Sequence, residues 1–243
     1  MIEWIVVGIF GLCVGSFLNV AILRIPEGKS VLFPASHCAI CDHSLSWYHN
    51  IPLFSWLALR GKCASCKAPI SVQYPLIELL TSLLYLLVFF HTEHLIQSFI
   101  LGTVFALLLA LSLVDLRYKA VPDLLSLPAL VISFFTLHPL ESFQNGLLFM
   151  GGFAFLRMGL SSLLQKEVMG EADIIIAGII GALVGVKLGL FAIYISAVIS
   201  LVAFMVVRKR GYELPYIPFL SIGLLITWLF DTPILAFLEK LYE

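Results

Sequence analysis

The feature that most constrains this chain is a succession of long apolar segments. A helix needs about 20 mainly apolar residues to cross the hydrocarbon core of a bilayer. Of the residues, 61% are hydrophobic and 12% are charged, whereas soluble domains carry about 25% charged residues. The sequence therefore predicts an all-α polytopic membrane protein with about eight transmembrane helices. The eight segments are 2–23, 73–90, 95–114, 124–138, 143–164, 173–186, 188–207 and 215–231.

Two features of this division stay open at the level of sequence. The segments 124–138 and 173–186 are short for a span, and the stretch 173–207 can be divided differently. Glycines at positions 178, 181, 185 and 189 recur every three or four residues. That spacing predicts close helix contact, although a flexible apolar helix has the same spacing. The first segment lacks a basic stretch before it, so we interpret it as a retained span and not as a signal peptide.

The positions of Lys and Arg predict how the chain is oriented. Most of the 14 basic residues fall into the segments 24–72, 115–123, 165–172 and 208–214. The segments on the other side hold only Lys187 and Lys240. Because basic loops stay in the cytoplasm, these four segments are predicted to be cytoplasmic. The net charge of −1 gives no indication of nucleic-acid binding.

The polar segment 24–72 carries two closely spaced cysteine pairs. They are Cys38-x2-Cys41 and Cys63-x2-Cys66. Two such turns can close a tetrahedral four-sulfur site, which suits zinc. Disulfides or redox use are the alternative, disfavoured in a reducing cytoplasm. We therefore predict three parts: the first transmembrane helix (1–23), a small zinc-stapled cytoplasmic loop domain (24–72), and the remaining membrane domain (73–243).

Two aspartates stand at the ends of apolar segments. Asp115 closes the third segment and Asp173 opens the sixth, both on the predicted cytoplasmic side. Two carboxylates that lie close together share a proton, so that one can activate water while the other polarises a peptide carbonyl. Spacing alone does not choose between Asp115 and Asp123. Glu171 is a further competitor beside Asp173, although two residues away it would point elsewhere on a helix. Each Asp can also be a helix-end residue in contact with water and lipid headgroups.

The order of several short motifs resembles the bacterial type IV prepilin peptidases. The resemblance covers most of the chain, and each motif alone is weak. Besides the four cysteines, the matching segments are Gly15-Ser-Phe-Leu-Asn-Val20 followed by Arg24, Tyr74-Pro-Leu-Ile-Glu78-Leu-Leu-Thr81, Asp115-Leu-Arg-Tyr-Lys-Ala-Val-Pro-Asp123, Gly170-Glu-Ala-Asp173 and Pro215-Tyr-Ile-Pro-Phe-Leu220.

The resemblance implies a function and a catalytic pair. In that family the first Asp of the Asp-x6-Pro-Asp segment is catalytic, which implies Asp115 together with Asp173. It implies an inner-membrane aspartic endopeptidase that removes the basic leader of type IV prepilins, or of pseudopilins of type II secretion or competence systems. Many members also methylate the new N-terminus with S-adenosylmethionine. This chain departs from the family pattern at Ala172, where Gly is usual, and at Ile175, where Lys is common.

Two other functions are compatible with parts of this sequence. A transporter could use Asp115 and Asp173 to relay protons or to bind a cation, but transporters usually place such groups near the bilayer midplane. A non-catalytic assembly factor would keep the cysteine loop as a docking module without needing both aspartates. The sequence predicts no oligomeric state.

Overall fold

The computed structural model describes residues 2–38, 40–92, 94–166, 169–207 and 214–242, and within these ranges the chain is built from helices. Two isolated bridges, His37 with Ser44 and Lys62 with Pro69, are the only strand-like pairings in the described part. The all-α prediction is confirmed. The helices are α1 (Ile2–Arg24), α2 (Phe54–Ala58), α3 (Gln73–Thr92), α4 (Leu95–Tyr118), α5 (Asp123–Ser133), α6 (Pro139–Leu164), α7 (Glu171–Val207), α8 (Ile217–Leu229) and α9 (Asp231–Tyr242).

Length and composition make this a multi-pass membrane protein. Five of the described helices, α1, α3, α4, α6 and α7, are long and apolar enough to cross a bilayer, and a sixth span arises if α8 and α9, bent by 84°, count as one. The predicted count of eight is not confirmed. The fourth predicted segment, 124–138, folds as α5, whose 11 residues reach only about 16 Å.

The sixth and seventh predicted segments form one interrupted helix. Within α7, Gly185 has φ 70° and ψ −172°, which breaks the helical backbone. A positive φ of this kind costs glycine little and strains other residues. The predicted boundary near residue 187 therefore lies beside a true break, although the two halves follow each other without a loop. Arg208, Lys209 and Arg210, used in the orientation argument, lie outside the described residues.

The chain folds as two compact units, one up to Ala106 and one from Leu107 onward. In the first unit, α1 and α3 pack closely because small residues face the partner helix. A Cβ on Gly11 would lie 2.7 Å from Cα of Ser82, and the hydroxyl of Ser82 donates to the carbonyl of Gly8 at 2.9 Å. Close approach of this kind is typical of membrane helices.

The substitution Gly11→Ala is expected to lower the thermal midpoint of the purified protein. The added methyl would meet the backbone of α3, and overpacking of this kind costs about 1–3 kcal/mol. Gly8→Ala is the matched control in the same helix, since its nearest neighbours lie 3.7 Å away, at ordinary contact distance. Thermal unfolding in detergent measures both. Equal midpoints for the two variants would contradict the close packing.

In the second unit, α7 packs against α6 through its glycines. A Cβ on Gly178 would lie 2.5 Å from Met150, one on Gly181 would lie 2.6 Å from the carbonyl oxygen of Asn145, and one on Gly189 would lie 2.5 Å from Phe149. The glycines at these positions therefore allow α7 to lie in close contact with α6 from Gly178 onward.

Candidate functional site

Two tight turns of the same construction carry the cysteine pairs. In the first turn, the amide of Cys38 donates to the carbonyl of His43 at 3.0 Å and the amide of Asp42 donates to the carbonyl of Cys38 at 2.9 Å. In the second turn, the amide of Cys63 donates to the carbonyl of Ala68 at 2.8 Å. Hydrogen bonds within each turn therefore hold its two sulfurs on one side.

The four sulfurs converge on a single point. All four Sγ atoms lie within 4.8 Å of one another, and those of Cys38 and Cys66 are 3.8 Å apart. A tetrahedral zinc site with Zn–S bonds of about 2.3 Å separates its sulfurs by about 3.8 Å, whereas a disulfide joins them at about 2.0 Å. The four cysteines, none of them joined in a disulfide, are positioned to bind a metal ion.

Backbone amides favour the thiolate form in two of the four cysteines, whereas at Cys41 the amide of His43 is outweighed by the sulfurs of Cys66 and Cys38, which raise the pKa to about 11. The amides of Ile40 and Cys41 lower the pKa of Cys38 to about 6. The amides of Cys66 and Ser65 likewise hold the pKa of Cys63 below its ordinary value. Donation from amides to sulfur stabilises the charged form without a neighbouring cation.

Asp115 lies in the last full turn of α4 and is largely buried, with 7% of its surface exposed. Its Oδ2 accepts a hydrogen bond from the amide of Ile217 at 3.1 Å, and the amide of Tyr216 also interacts with the carboxylate. Ile217 is the first residue of α8. The first amides of a helix have no partner inside the helix, so the start of α8 holds one oxygen of Asp115.

Asp173 lies in the first turn of α7 and is partly buried. Its Oδ2 accepts a hydrogen bond from the amide of Gly170 at 3.2 Å, just before the helix. The negative charge of Asp115 acts on Asp173. Burial, and then the negative charge of Asp173, raise the pKa of Tyr216 above its ordinary value. The two carboxylates and this phenol therefore belong to one polar cluster.

The two competing acids are placed differently. Asp123 begins α5 and is exposed. Glu171 has 81% of its side chain exposed and accepts hydrogen bonds from both terminal nitrogens of Arg157 at 3.1 Å. The negative charge that acts on Asp173 is that of Asp115, whereas Asp123 is exposed at the start of α5. Ala172 lies inside α7, where helical backbone accommodates its methyl group.

Sequence reasoning missed the groups that hold the carboxylates. The amides of Gly170 and Ile217 are backbone groups, which no residue pattern marks as donors to a side chain. For Ile217, the segment 215–220 gave the only signal, through its resemblance to a motif near the active site. A cavity of about 330 Å³ is lined by Ala154, Arg157, Met158, Ser161 and Ile174, the last of which follows Asp173 in the chain.

Comparison with known protein families gives two adjacent matches. The profile "Bacterial Peptidase A24 N-terminal domain" matches residues 9–92. The profile "Type IV leader peptidase family" matches residues 101–205. The two matches cover both the cysteine turns and the two aspartates. No solved structure matches the chain.

Individual relatives carry consistent names. A "Prepilin leader peptidase/N-methyltransferase" of Myxococcus xanthus is 50% identical over 117 residues, which cover 47% of this chain and 34% of that protein. A "Type 4 prepilin-like proteins leader peptide-processing enzyme" of Escherichia coli is 33% identical, with 88% of both chains covered. A "Prepilin leader peptidase/N-methyltransferase" of Xanthomonas campestris is 32% identical, with 88% of this chain and 86% of that protein covered. The resemblance noted from the motifs is confirmed, and the chain belongs to the type IV prepilin leader peptidase family.

Proposed function

We propose that this protein is a membrane aspartic endopeptidase that removes the basic leader of type IV prepilins or pseudopilins, with Asp115 and Asp173 as its catalytic pair. One observation carries the assignment of the pair: two carboxylates, from the end of α4 and the start of α7, interact in one partly buried cluster. Ionisable groups that are buried within membrane segments are costly and are usually functional. The relatives' names supply the substrate class.

The chemistry needs one proton shared between the two carboxylates. The ionised member takes a proton from a water molecule, and the water oxygen attacks the carbon of the scissile peptide bond. The protonated member donates a hydrogen bond to the carbonyl oxygen, and a proton passes to the leaving nitrogen as the C–N bond breaks. Because the amide of Ile217 binds Oδ2 of Asp115 and the amide of Gly170 binds Oδ2 of Asp173, both side chains are held in place.

The position of the pair suits a substrate that is itself embedded in the membrane. A leader followed by an apolar helix places its scissile bond where that helix leaves the bilayer. Asp115 ends one candidate span and Asp173 begins another, so each lies near a membrane face, and a shared proton requires that both lie at the same one. Because basic loops stay in the cytoplasm, we infer that this face is the cytoplasmic one and that the protein resides in the bacterial inner membrane. The comparisons lend no support to the transport alternative.

We infer that the metal held by the four cysteines is zinc, in a structural role. A four-thiolate donor set with tetrahedral spacing suits Zn²⁺ and leaves no open position for a substrate. The loop between α1 and α3 contains only short helical elements, so a metal supplies stability that a small apolar core does not. Zinc here would hold the two turns together and take no part in peptide cleavage.

The names of two relatives also include N-methyltransferase, and we infer the same second activity for this chain. S-adenosylmethionine would supply the methyl group. No residue of the chain is assigned to that donor. After cleavage, the product is expected to gain about 14 Da, the mass of a methylene, only when S-adenosylmethionine is added. A product of unchanged mass would remove the second activity and leave the peptidase proposal in place.

Cleavage of a prepilin by the purified protein tests the proposed peptidase. The protein in lipid nanodiscs is incubated with a prepilin, and intact mass is followed over time. We expect release of one N-terminal leader and a mature chain that begins at the residue after the cut. A matched prepilin whose Gly before the cut is replaced by a bulky residue serves as the substrate control. An uncut prepilin under conditions in which the protein stays folded would contradict the proposal.

A further inference from the structure

The loop between α1 and α3 exposes several large apolar side chains. Trp47 is 80% exposed, Phe54 is 68% exposed and Leu57 is 62% exposed. Phe54 and Leu57 belong to α2, and Trp47 belongs to the short 3-10 turn before it. A group of such side chains on a loop in water is unfavourable, and it marks a surface that contacts something apolar.

The packing of α1 against α3 fixes the depth of each residue along the two helices. The Asn19 side chain donates from Nδ2 to the carbonyl of Tyr74 at 3.0 Å, so these residues are level. A Cβ on Gly15 would lie 2.7 Å from Cα of Glu78, so Gly15 and Glu78 are level too. Glu78 therefore lies more than one turn inside α3, about 7–8 Å from its first residue.

One hydrogen bond holds the loop at the depth of Glu78 in the membrane. Glu78 Oε2 accepts from the amide of Leu53 at 2.8 Å, and Leu53 is the residue directly before α2. With 20 residues, α3 is only just long enough to cross the hydrocarbon core of about 30 Å. Glu78 thus lies inside the membrane edge. The start of α2 must lie beside it, and not out in the cytoplasm.

The charges next to α2 complement lipid phosphates. Arg60 and Lys62 follow α2 directly and are exposed, while Tyr48 stands beside Trp47 before it. Trp and Tyr collect at membrane interfaces, and Lys and Arg extend from such positions to the headgroups. A second copy of this chain would bring the same cations face to face, so the bilayer is the better partner for this surface.

We propose that residues 47–62 form an interfacial anchor that lies on the bilayer. Trp47, Phe54 and Leu57 insert among the acyl chains, and Arg60 and Lys62 bind lipid phosphates. Glu78 acts as a positioning residue that holds the anchor at its depth. The anchor would keep the adjoining cysteine turns close to the membrane face.

Photolabelling in nanodiscs tests the anchor. A diazirine analogue of phenylalanine replaces Phe54 in one variant and Leu57 in a second, and Ser65, which is exposed in the second cysteine turn, carries it in the control. After illumination, mass spectrometry identifies the adducts. Positions 54 and 57 are expected to yield mainly lipid adducts, and position 65 mainly water adducts. Mainly water adducts at 54 and 57, or covalent dimers of the protein, would overturn the proposal. Unchanged metal content in each variant shows that the loop is intact.

The phosphate contacts are tested by a second comparison. The labelled position 54 is combined with Arg60→Gln and Lys62→Gln in nanodiscs rich in phosphatidylglycerol. Each cation near an anionic surface contributes to the attraction of anionic lipid. Without the two cations, the yield of phosphatidylglycerol adducts is expected to fall about twofold or more. The same pair of substitutions in zwitterionic nanodiscs is the control and is expected to change little. An unchanged yield in the anionic nanodiscs would overturn the role of the two cations.

Discussion

Leader cleavage is expected to fall about a thousandfold or more in Asp115→Asn and, separately, in Asp173→Asn. Losing either carboxylate removes the shared proton, and acid–base groups of this kind contribute about 10²–10⁴ each. Asn keeps the shape of Asp and one oxygen acceptor, so the amide of Ile217 can still bind position 115. The loss therefore reports chemistry and not the docking of α8 against α4. Initial rates of prepilin cleavage, followed by mass, measure it.

Two nearby acids provide matched controls for this experiment. Asp123→Asn and Glu171→Gln remove a carboxylate from the same regions of the chain, but both side chains are exposed and lie outside the pair. Each is expected to keep cleavage within about twofold of the parent, as surface substitutions usually do. Loss of cleavage in Asp123→Asn with retention in Asp115→Asn would reassign the catalytic pair.

The sequence identifies candidate site residues but not the backbone groups that hold them. Acids are rare in the apolar segments, so Asp115 and Asp173 stand out at segment ends. The backbone amides that bind these carboxylates could not be predicted, because the amide of Ile217 is separated from Asp115 by 102 positions in the sequence. A contact of that range depends on how helices pack, which apolar composition does not encode.

The predicted count of eight spans is not confirmed, for a physical reason. Hydropathy measures how apolar a stretch is, but not where its backbone stops being helical. The segment 124–138 is mainly apolar, yet α5 ends at Ser133 after 11 residues. At Gly185 the composition is equally uninformative. The sequence shows that a glycine is present, but only its φ of 70° shows that the helix breaks there. The helix α2, on which the proposed anchor depends, could not be predicted, because five residues are too few to show a helical period.

The cysteine tetrad was predictable because its geometry is local. Two residues between paired cysteines confine each pair to one turn, whatever the rest of the fold does, and the structure adds only that the two turns meet. A bound metal would stabilise this contact between the two cysteine turns. Cys38→Ser combined with Cys41→Ser is therefore expected to abolish metal binding, since two of four ligands are lost.

Metal analysis of the purified protein measures this second large effect. The parent is expected to carry about one zinc ion per chain, and the double variant less than about a tenth of that. Cys13→Ser is the matched control: Cys13 lies in α1, outside the tetrad, so its metal content is expected to equal that of the parent. Limited proteolysis should cut the loop of the double variant faster, because its two turns would no longer be joined. A parent protein without zinc, or a double variant that retains zinc, would contradict the metal centre. Either result would leave the case for the two aspartates intact, because the four cysteines lie in the first unit and the aspartates lie in the second.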